Sequence, residues 1–314
     1  MKLKSYKFSI IGYGIMGQIH HKALNTIGNV KLDSVFETKK NIQIGKSIKK
    51  FNNFDQYLNY LIETKTDGVI ISSPNETHFH YASKLIKNKI PILVEKPLTL
   101  DFKEVTKLIN LAIKYNCVLR CGLIEIYNPI TIELKKLKFN NIKTIHITRH
   151  SPKVSSKRKL SDVILDLLLH DISLLYHIFS PENLEIIGVN KVFEKGLVET
   201  IELLLKFDKK ISVFITTSRQ SQVKKRVIEI IDNNSIYKAD LIEKLIYIFK
   251  KGSISGSNKT YTESSSNYKI EPLDRPETAK IQITKFIENI DVGRVDVEHF
   301  KLIENSHKFV FKLI

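Results

Sequence analysis

Over roughly the first 125 positions the apolar residues fall into short, nearly unbroken runs with amphipathic stretches between them. The runs are KFSII (7–11), VKLDSVF (30–36), DGVIISSP (67–74), IPILVE (90–95) and CVLRCGLI (117–124). DGVIISSP, nearly continuous and closed by proline, suits a strand covered on both sides in a parallel sheet. A helix is predicted from a glycine-rich turn to about Thr26. A helical stretch and FDQYLNYLIE (54–63) follow Glu37, a further helix covers 76–88, and another starts after Asp101. Strand and helix alternate throughout, the pattern of a doubly wound parallel sheet.

The pattern changes at Tyr127-Asn128-Pro129. One helix, one strand (143–149), a polar basic loop (151–161) and the helical stretch VILDLLLHDISLL (163–175) come next. From 184 to 249 the alternation is that of strands: LEIIGVN, ETIELLLKF, KKISVFITTS, KRVIEIID and KLIYIF, parted by turns such as DKK and DNN. The polar stretch GSISGSNKTYTESSSN (252–267) reads as a loop, and helices at 276–290 and 297–312 close the chain. The expectation is an α/β protein: a nucleotide-binding domain over 1–122, then an α+β domain over 123–314 for substrate binding and oligomerisation. The second domain has an open, mostly antiparallel sheet, and the last helix returns to the first domain.

Composition narrows the class. The 314 residues are 42% hydrophobic and 26% charged, ordinary for a globular protein. No run of about 18 apolar residues occurs, so no membrane span is expected. The N-terminal apolar run leads into the glycine turn and reads as a first strand, not a signal peptide. Cys117 and Cys121 lack zinc-site spacing, so no metal is expected, and they read as buried thiols of a cytoplasmic protein. The net charge of +17 has two readings: an anionic partner, or a lysine-rich composition spread along the chain. No basic motif is interleaved with aromatics, so neither nucleic acid nor membrane is the expected partner. Attraction of an anionic cofactor and substrate suffices.

Gly12, Gly14 and Gly17 spell G-x-G-x-x-G between a strand and a helix. Gly12 allows the tight turn, Gly14 lets a pyrophosphate approach the backbone, and Gly17 lets the helix pack on the sheet. Amides at the helix N-terminus then hold the phosphates. Glu37, twenty residues after Gly17, ends the second strand. A carboxylate there bonds the ribose hydroxyls and repels a 2′-phosphate, which favours NAD over NADP. The first domain is thus expected to be a Rossmann sheet.

Asp166 and His170 are four apart in an otherwise apolar helix, so they stack on one face. They are either a satisfied core pair or a working one. In order, the chain shows GYGIMG, SSPNETHFHYA, VEKP and DLLLHD. This set resembles the glucose–fructose oxidoreductase and inositol dehydrogenase family, Gfo/Idh/MocA, over nearly the whole chain. GLIEIYNP followed by VILDLLLHDI is most similar to members that oxidise the 3-hydroxyl of UDP-N-acetylglucosamine.

The resemblance implies an NAD-dependent dehydrogenase of a sugar or nucleotide sugar; the alternatives are an inositol or free-sugar dehydrogenase or reductase, and a non-catalytic NAD-binding sensor of the same fold. Gly12, Tyr13, Gly14, Ile15, Met16 and Gly17 would hold the pyrophosphate, and His20 matches a histidine that often follows this turn. Ser73, Pro74, Asn75 and His78 would line the nicotinamide side. Glu95 and Lys96 would lie beside nicotinamide and substrate, with Lys96 catalytic. His170 would be the general base and Asp166 its orienting partner, while Tyr127, Asn128 and Arg149 would join Lys96, Asp166 and His170 in binding substrate. A homodimer or homotetramer is expected from an open sheet of this kind. Leu168, Ser173 and Ile126 depart from the family's usual glycine, aspartate and arginine; they bear on the substrate and leave the cofactor half untouched. The basic loop SPKVSSKRK, with Lys153, Lys157, Arg158 and Lys159, reads either as an anion-recognition element or as a solvated loop.

Overall fold

The computed structural model describes residues 4–39, 42–152, 162–257, 260–272 and 277–314. Two compact units emerge: Met1–Tyr127 with Pro276–Lys312, and Asn128–Arg275 with Leu313–Ile314. The first unit thus runs five residues past the expected 122; within the span 123–314 the last helix is expected to return to the first domain, and both closing helices belong to the first unit.

The first unit is a parallel sheet in the order β3-β2-β1-β4-β5-β6. Its strands are β1 (Tyr6–Ile11), β2 (Val30–Phe36), β3 (Lys49–Phe51), β4 (Gly68–Ile71), β5 (Ile92–Val94) and β6 (Leu119–Cys121). β4, β5 and β6 are buried along their whole length, as the nearly continuous apolar run predicts for β4. The helices are α1 (Ile15–Asn25), α2 (Phe54–Glu63), α3 (His78–Lys87) and α4 (Phe102–Tyr115). Asn53 caps α2 by accepting from Gln56 N at 3.0 Å, and Asp101 caps α4 by accepting from Lys103 N at 2.9 Å. The helical stretch expected after Glu37 is not found: the described residues 42–53 hold a turn and the edge strand β3. β3 pairs with β2 from Ser34↔Lys49 to Phe36↔Phe51, so backbone pairing overrides the local propensity.

Helices α7 (Thr278–Val292) and α8 (Val297–Phe311) complete the cover of this sheet. Phe286 of α7 meets Phe8 of β1 edge to face, with ring centroids 5.7 Å apart. Gly68 makes room for both: a Cβ there would lie 2.8 Å from the Phe8 ring and 3.1 Å from Phe286. Arg120 of β6 is buried and binds Asn289 Oδ1 (2.6 Å), Asp296 Oδ2 (2.8 Å) and Tyr127 Oη (2.6 Å). One guanidinium therefore ties three chain segments to the sheet. Cys117 and Cys121 are buried free thiols, and burial pushes Cys117 up to about 12.

The second unit is a mixed sheet in the order β14-β13-β12-β11-β7-β10-β9-β8, in which only the β7–β10 pairing is parallel. Its strands are β7 (Thr144–His150), β8 (Leu184–Glu194), β9 (Leu197–Phe207), β10 (Ile211–Ser218), β11 (Lys225–Ile231), β12 (Ser235–Asp240), β13 (Leu245–Ser257) and β14 (Thr260–Ile270). The stretch 252–267, expected as a loop, contributes to the β13–β14 hairpin, with Ser253↔Ser264 and Ser257↔Thr260 in register. Serine and glycine hide strand character because backbone pairing, not side-chain hydrophobicity, sustains it. Helices α5 (Pro129–Lys136) and α6 (Leu169–Phe179) belong to this unit. No helix of the described residues is long and apolar enough to cross a membrane.

His307 of α8 accepts the Leu98 N–H through Nε2 at 3.0 Å, and its Nδ1 donates to Ile303 O at 2.8 Å. Complete burial pushes its pKa down from 6.5 to about 4. The unfolded chain binds this proton at higher pH than the folded one, so acidification through that window favours unfolding. Between pH 7 and pH 5 the loss from this residue should be about 2 kcal/mol. His307→Gln retains an acceptor for Leu98 N but does not titrate, so urea unfolding at the two pH values should show a shallower acid loss. Equal losses in the two proteins would exclude this assignment.

Candidate functional site

The glycine turn leaves β1 at the point where the strand order reverses, between β1 and β4, the place where open α/β sheets take ligands. Gly12 has φ +86°, and a Cβ on it would lie 2.5 Å from Ser73 Cα and N. Gly17 is as tightly placed, with a Cβ position 2.3 Å from Gly12 O. Ser72 Oγ donates to Gly12 O at 2.7 Å and locks the turn to the end of β4. Gly14 differs: nothing lies within 4 Å of its Cβ position. Gly14 and Ile15 are exposed, Met16 is half-buried, and α1 has no side-chain cap and no acid in its first turn. An open, uncapped helix N-terminus is what a pyrophosphate needs, so these residues fit a dinucleotide.

Glu37 Oε2 accepts from Tyr13 N at 2.8 Å and its Oε1 from Lys39 N at 3.0 Å. The carboxylate therefore stands at the glycine turn. Tyr13 is buried, with its hydroxyl on His21 Nδ1. A cavity of about 480 Å³ is lined by Tyr13, Gln18, Ile42 and Gln43. Gln18, Ile42 and Gln43 were missed from sequence; the positions of Ile42 and Gln43 shortly after Glu37 were the available signal.

Glu95-Lys96-Pro97 follows β5, with a cis bond before Pro97. Lys96 is half-buried and Glu95 is buried. Glu95 Oε1 meets His20 Nε2 at 2.6 Å. Burial raises the Glu95 pKa, but the hydrogen bond and charge of His20 and the Lys96 ammonium outweigh it and hold the group below its usual range. His78, expected to line the nicotinamide side, is buried. Its Nδ1 faces Pro97 O at 2.9 Å and its Nε2 faces Ser73 O at 3.0 Å. Burial lowers its pKa against the opposing pull of those carbonyls. The ring thus joins the Ser73 loop to the Lys96 turn. In that loop Ser73 Oγ shares a hydrogen bond with Thr77 Oγ1 at 2.7 Å, Asn75 is half-buried, and Pro74 is exposed.

In the second unit the helix carrying Asp166 and His170 opens with a π turn over Ile164–Leu168, and Leu169 N bonds back to Ile164 O. The sequence predicts a regular helix here. A π turn is wider than an α turn and is frequent at functional sites. Asp162 starts the helix by accepting from Ile164 N at 3.0 Å. Asp166 meets Arg219 Nη1 at 3.4 Å with its carboxylate still 37% exposed. Arg219 also binds buried Glu199 through Nε (3.1 Å) and Nη2 (3.3 Å). Neither Arg219 nor Glu199 was found from sequence, because each is an isolated charge at a strand end. His170 is buried, Ser173 Oγ donates to its carbonyl at 2.8 Å, and Leu168 lies in the core.

Three expected substrate residues have other work. Arg149 is 2% exposed; its Nε donates to Asp171 Oδ1 at 2.6 Å, and Thr217 Oγ1 donates to Asp171 Oδ2 at 2.9 Å. Ile145, Ile147 and Arg149 alternate onto the buried face of β7, so the period of two already placed Arg149 inward. Tyr127 is buried with its hydroxyl on Arg120. Asn128 caps α5 through Ile130 N (3.0 Å) and donates to Leu241 O (2.9 Å). Of the basic loop, Lys153, Lys157, Arg158 and Lys159 lie outside the described residues. No group of three or more His, Cys, Asp or Glu among the described residues could hold a metal ion.

Residues 6–123 match the model of the GFO_IDH_MocA oxidoreductase family, NAD-binding Rossmann fold. Over those residues the chain is similar to the Gfo/Idh/MocA family. The UDP-N-acetylglucosamine 3-dehydrogenase of Acidithiobacillus ferrooxidans is 26% identical over 250 residues, spanning 78% of this chain and 77% of the relative. A solved structure of the enzyme of that name from the same organism has a TM-score of 0.80 at 19% identity, covering 99% of this chain and 97% of that one. An inositol 2-dehydrogenase of Mycolicibacterium smegmatis is 22% identical over 57% of this chain and 54% of its own. A mutant 3-ketoreductase from Actinomadura kijaniata, in complex with TDP-benzene and NADP, has a TM-score of 0.75 at 13% identity, covering 98% of this chain and 96% of that one. These structural likenesses show a shared fold across both units.

The glycines separate fold from binding. Gly14→Ala meets open space and should cost about 1 kcal/mol or less in stability, the scale of a lost helix cap. It should nevertheless weaken NADH binding at least about tenfold, about 1.4 kcal/mol. Gly12→Ala strains a positive φ against Ser73 and should cost about 3 kcal/mol. Denaturant midpoints and fluorescence titration measure both, and a Gly14→Ala protein that binds NADH normally would contradict the assignment.

Proposed function

We propose that the protein is an NAD-dependent dehydrogenase that oxidises the 3-hydroxyl of a nucleotide sugar such as UDP-N-acetylglucosamine. One observation carries the reading: an exposed, uncapped α1 N-terminus at Gly14 within residues that match an NAD-binding oxidoreductase family. The relative named UDP-N-acetylglucosamine 3-dehydrogenase supports the substrate class. The inositol 2-dehydrogenase among the relatives supports a second reading, a free polyol as substrate.

Gly12–Gly17 hold the pyrophosphate with backbone amides, and Glu37 accepts from ribose hydroxyls. Bound NAD supplies the hydride acceptor. In this reading His170 removes the proton from the reacting hydroxyl, a task suited to an imidazole near neutral pH. Asp166, held by Arg219, orients substrate or imidazole. Lys96 donates to the hydroxyl oxygen and stabilises the negative charge that develops on it. The protein is further proposed to act in the cytoplasm as a homodimer or homotetramer. Phe214, Ile236 and Phe249, exposed on the second unit's sheet, supply apolar surface for that assembly.

Purified protein with NAD and UDP-N-acetylglucosamine should show nicotinamide reduction by absorbance. His170→Ala should abolish turnover and leave NAD binding intact. Reduction with inositol but not with the nucleotide sugar would move the assignment to the second reading, and full turnover by His170→Ala would remove that residue from the mechanism. With Glu37 accepting from the ribose hydroxyls in this reading, NADH should bind at least about tenfold more tightly than NADPH, and Glu37→Ser should narrow the gap. Equal affinities in the native protein would overturn the preference for NAD.

A further inference from the structure

We propose that His20 is the positioning residue for Lys96, acting through the Glu95 carboxylate. The proposal rests on the reading that Lys96 works at the reacting hydroxyl. Lys96 lies two residues beyond the end of β5, after Glu95, whose own N–H still donates to Ile71 O of β4 at 2.8 Å. The Glu95 side chain takes the next amide: its Oε2 accepts the Lys96 N–H at 3.3 Å. Its Oε1 lies 2.6 Å from His20 Nε2. A carboxylate only accepts, so the imidazole Nε2–H donates. With one oxygen held by His20, the other is aimed at the Lys96 peptide, and the direction in which the lysine side chain leaves the backbone is fixed.

Three features show that this is a built arrangement. His20 is fully buried, and its other nitrogen has no hydrogen-bond partner, so the ring is placed for the contact with Glu95 alone. Gly122, following β6, closes the opposite side: a Cβ there would lie 3.0 Å from both Glu95 Oε2 and Glu95 Cα. The carboxylate is boxed between an imidazole and a glycine. His20 also sits on α1, the helix whose N-terminus receives the pyrophosphate in the proposed function. One rigid helix thus holds the cofactor at its first turn and the lysine turn from its second.

The charged and titratable groups facing Glu95 are His20 of α1, the adjacent Lys96, Cys121 of β6 and His78 of α3. Without His20, burial would act on Glu95 with one less opposing donor, and the carboxyl would take up a proton at higher pH. Protonated, it holds the Lys96 N–H less well. Loss of His20 should therefore lower turnover and move its acid limb upward, which a packing defect would not do.

The test uses the full chain as native protein, His20→Gln, His20→Leu and Glu95→Gln. Glutamine reaches the same place with an N–H donor, whereas leucine fills space without one. His20→Leu should lose about 100-fold in kcat, the scale of a misplaced reacting group. Its KM and NADH affinity should be little changed, and its acid limb should move to higher pH. His20→Gln should restore most of the turnover. Equal losses in the leucine and glutamine proteins, or an unmoved acid limb, would overturn the proposal. A readout independent of turnover is the Lys96 amide resonance, assigned by selective labelling. In the native protein it should shift with pH as Glu95 titrates, and in Glu95→Gln it should not. If no sugar is turned over, the proposed function fails and this resonance still decides the His20–Glu95 contact; a pH-silent native amide would sink it.

Discussion

A parallel sheet that is apolar on both faces must be covered on both, and that requirement organises the first unit. β4 and β5 are apolar throughout, and β6 is buried along its length with Arg120 satisfied inside. Helices α1 to α4 do not exhaust the cover, so α7 and α8 return from the end of the chain. Phe286 then completes the packing on Phe8 that Gly68 makes possible. Once the sheet order is set, the reversal between β1 and β4 places the glycine turn and the Ser72–Ser73 backbone against each other. A chemical site follows from a packing rule.

The second demand arises where the strands stop. Backbone groups beyond the ladder still need partners, and this protein recruits buried histidines for them. His78 faces Ser73 O and Pro97 O, His307 accepts from Leu98 N, and His299 of α8 accepts from Cys121 N at 3.1 Å. An imidazole presents a nitrogen on each of two opposite edges, and His307 uses one as acceptor and the other as donor. The segment around Lys96 is therefore held by side chains from α1, α3 and α8, and its rigidity depends on groups distant in sequence.

In the second unit the charges are arranged in layers. Asp171, next to His170 on the same helix, and Arg149 of β7 neutralise each other. Arg219 and Glu199 form a second pair, and Arg219 reaches Asp166 from it. Breaking such a buried pair on one side is costly, about 3–5 kcal/mol, so these residues carry the shape of the helix face as well as its charge. The π turn at Ile164–Leu168 changes the local pitch at Asp166, and no propensity in a run of Leu and Ile announces it.

The sequence by itself determined the strand and helix alternation, the glycine turn with Glu37, the Glu95-Lys96-Pro97 turn and the helix with Asp166 and His170. Each is a local pattern: a periodicity, a turn that needs glycine, a residue at a strand end. Only the tertiary structure decided that Arg149, Tyr127 and Asn128 are buried with hydrogen-bond partners, that the described part of 252–267 joins a hairpin, and that α7 returns to the first sheet together with α8. It also decided that His20, His78 and His307 serve the Lys96 turn. Those outcomes depend on which distant group meets a buried charge or an unpaired backbone atom. Burial makes such a meeting obligatory, and one-dimensional spacing does not encode the partner.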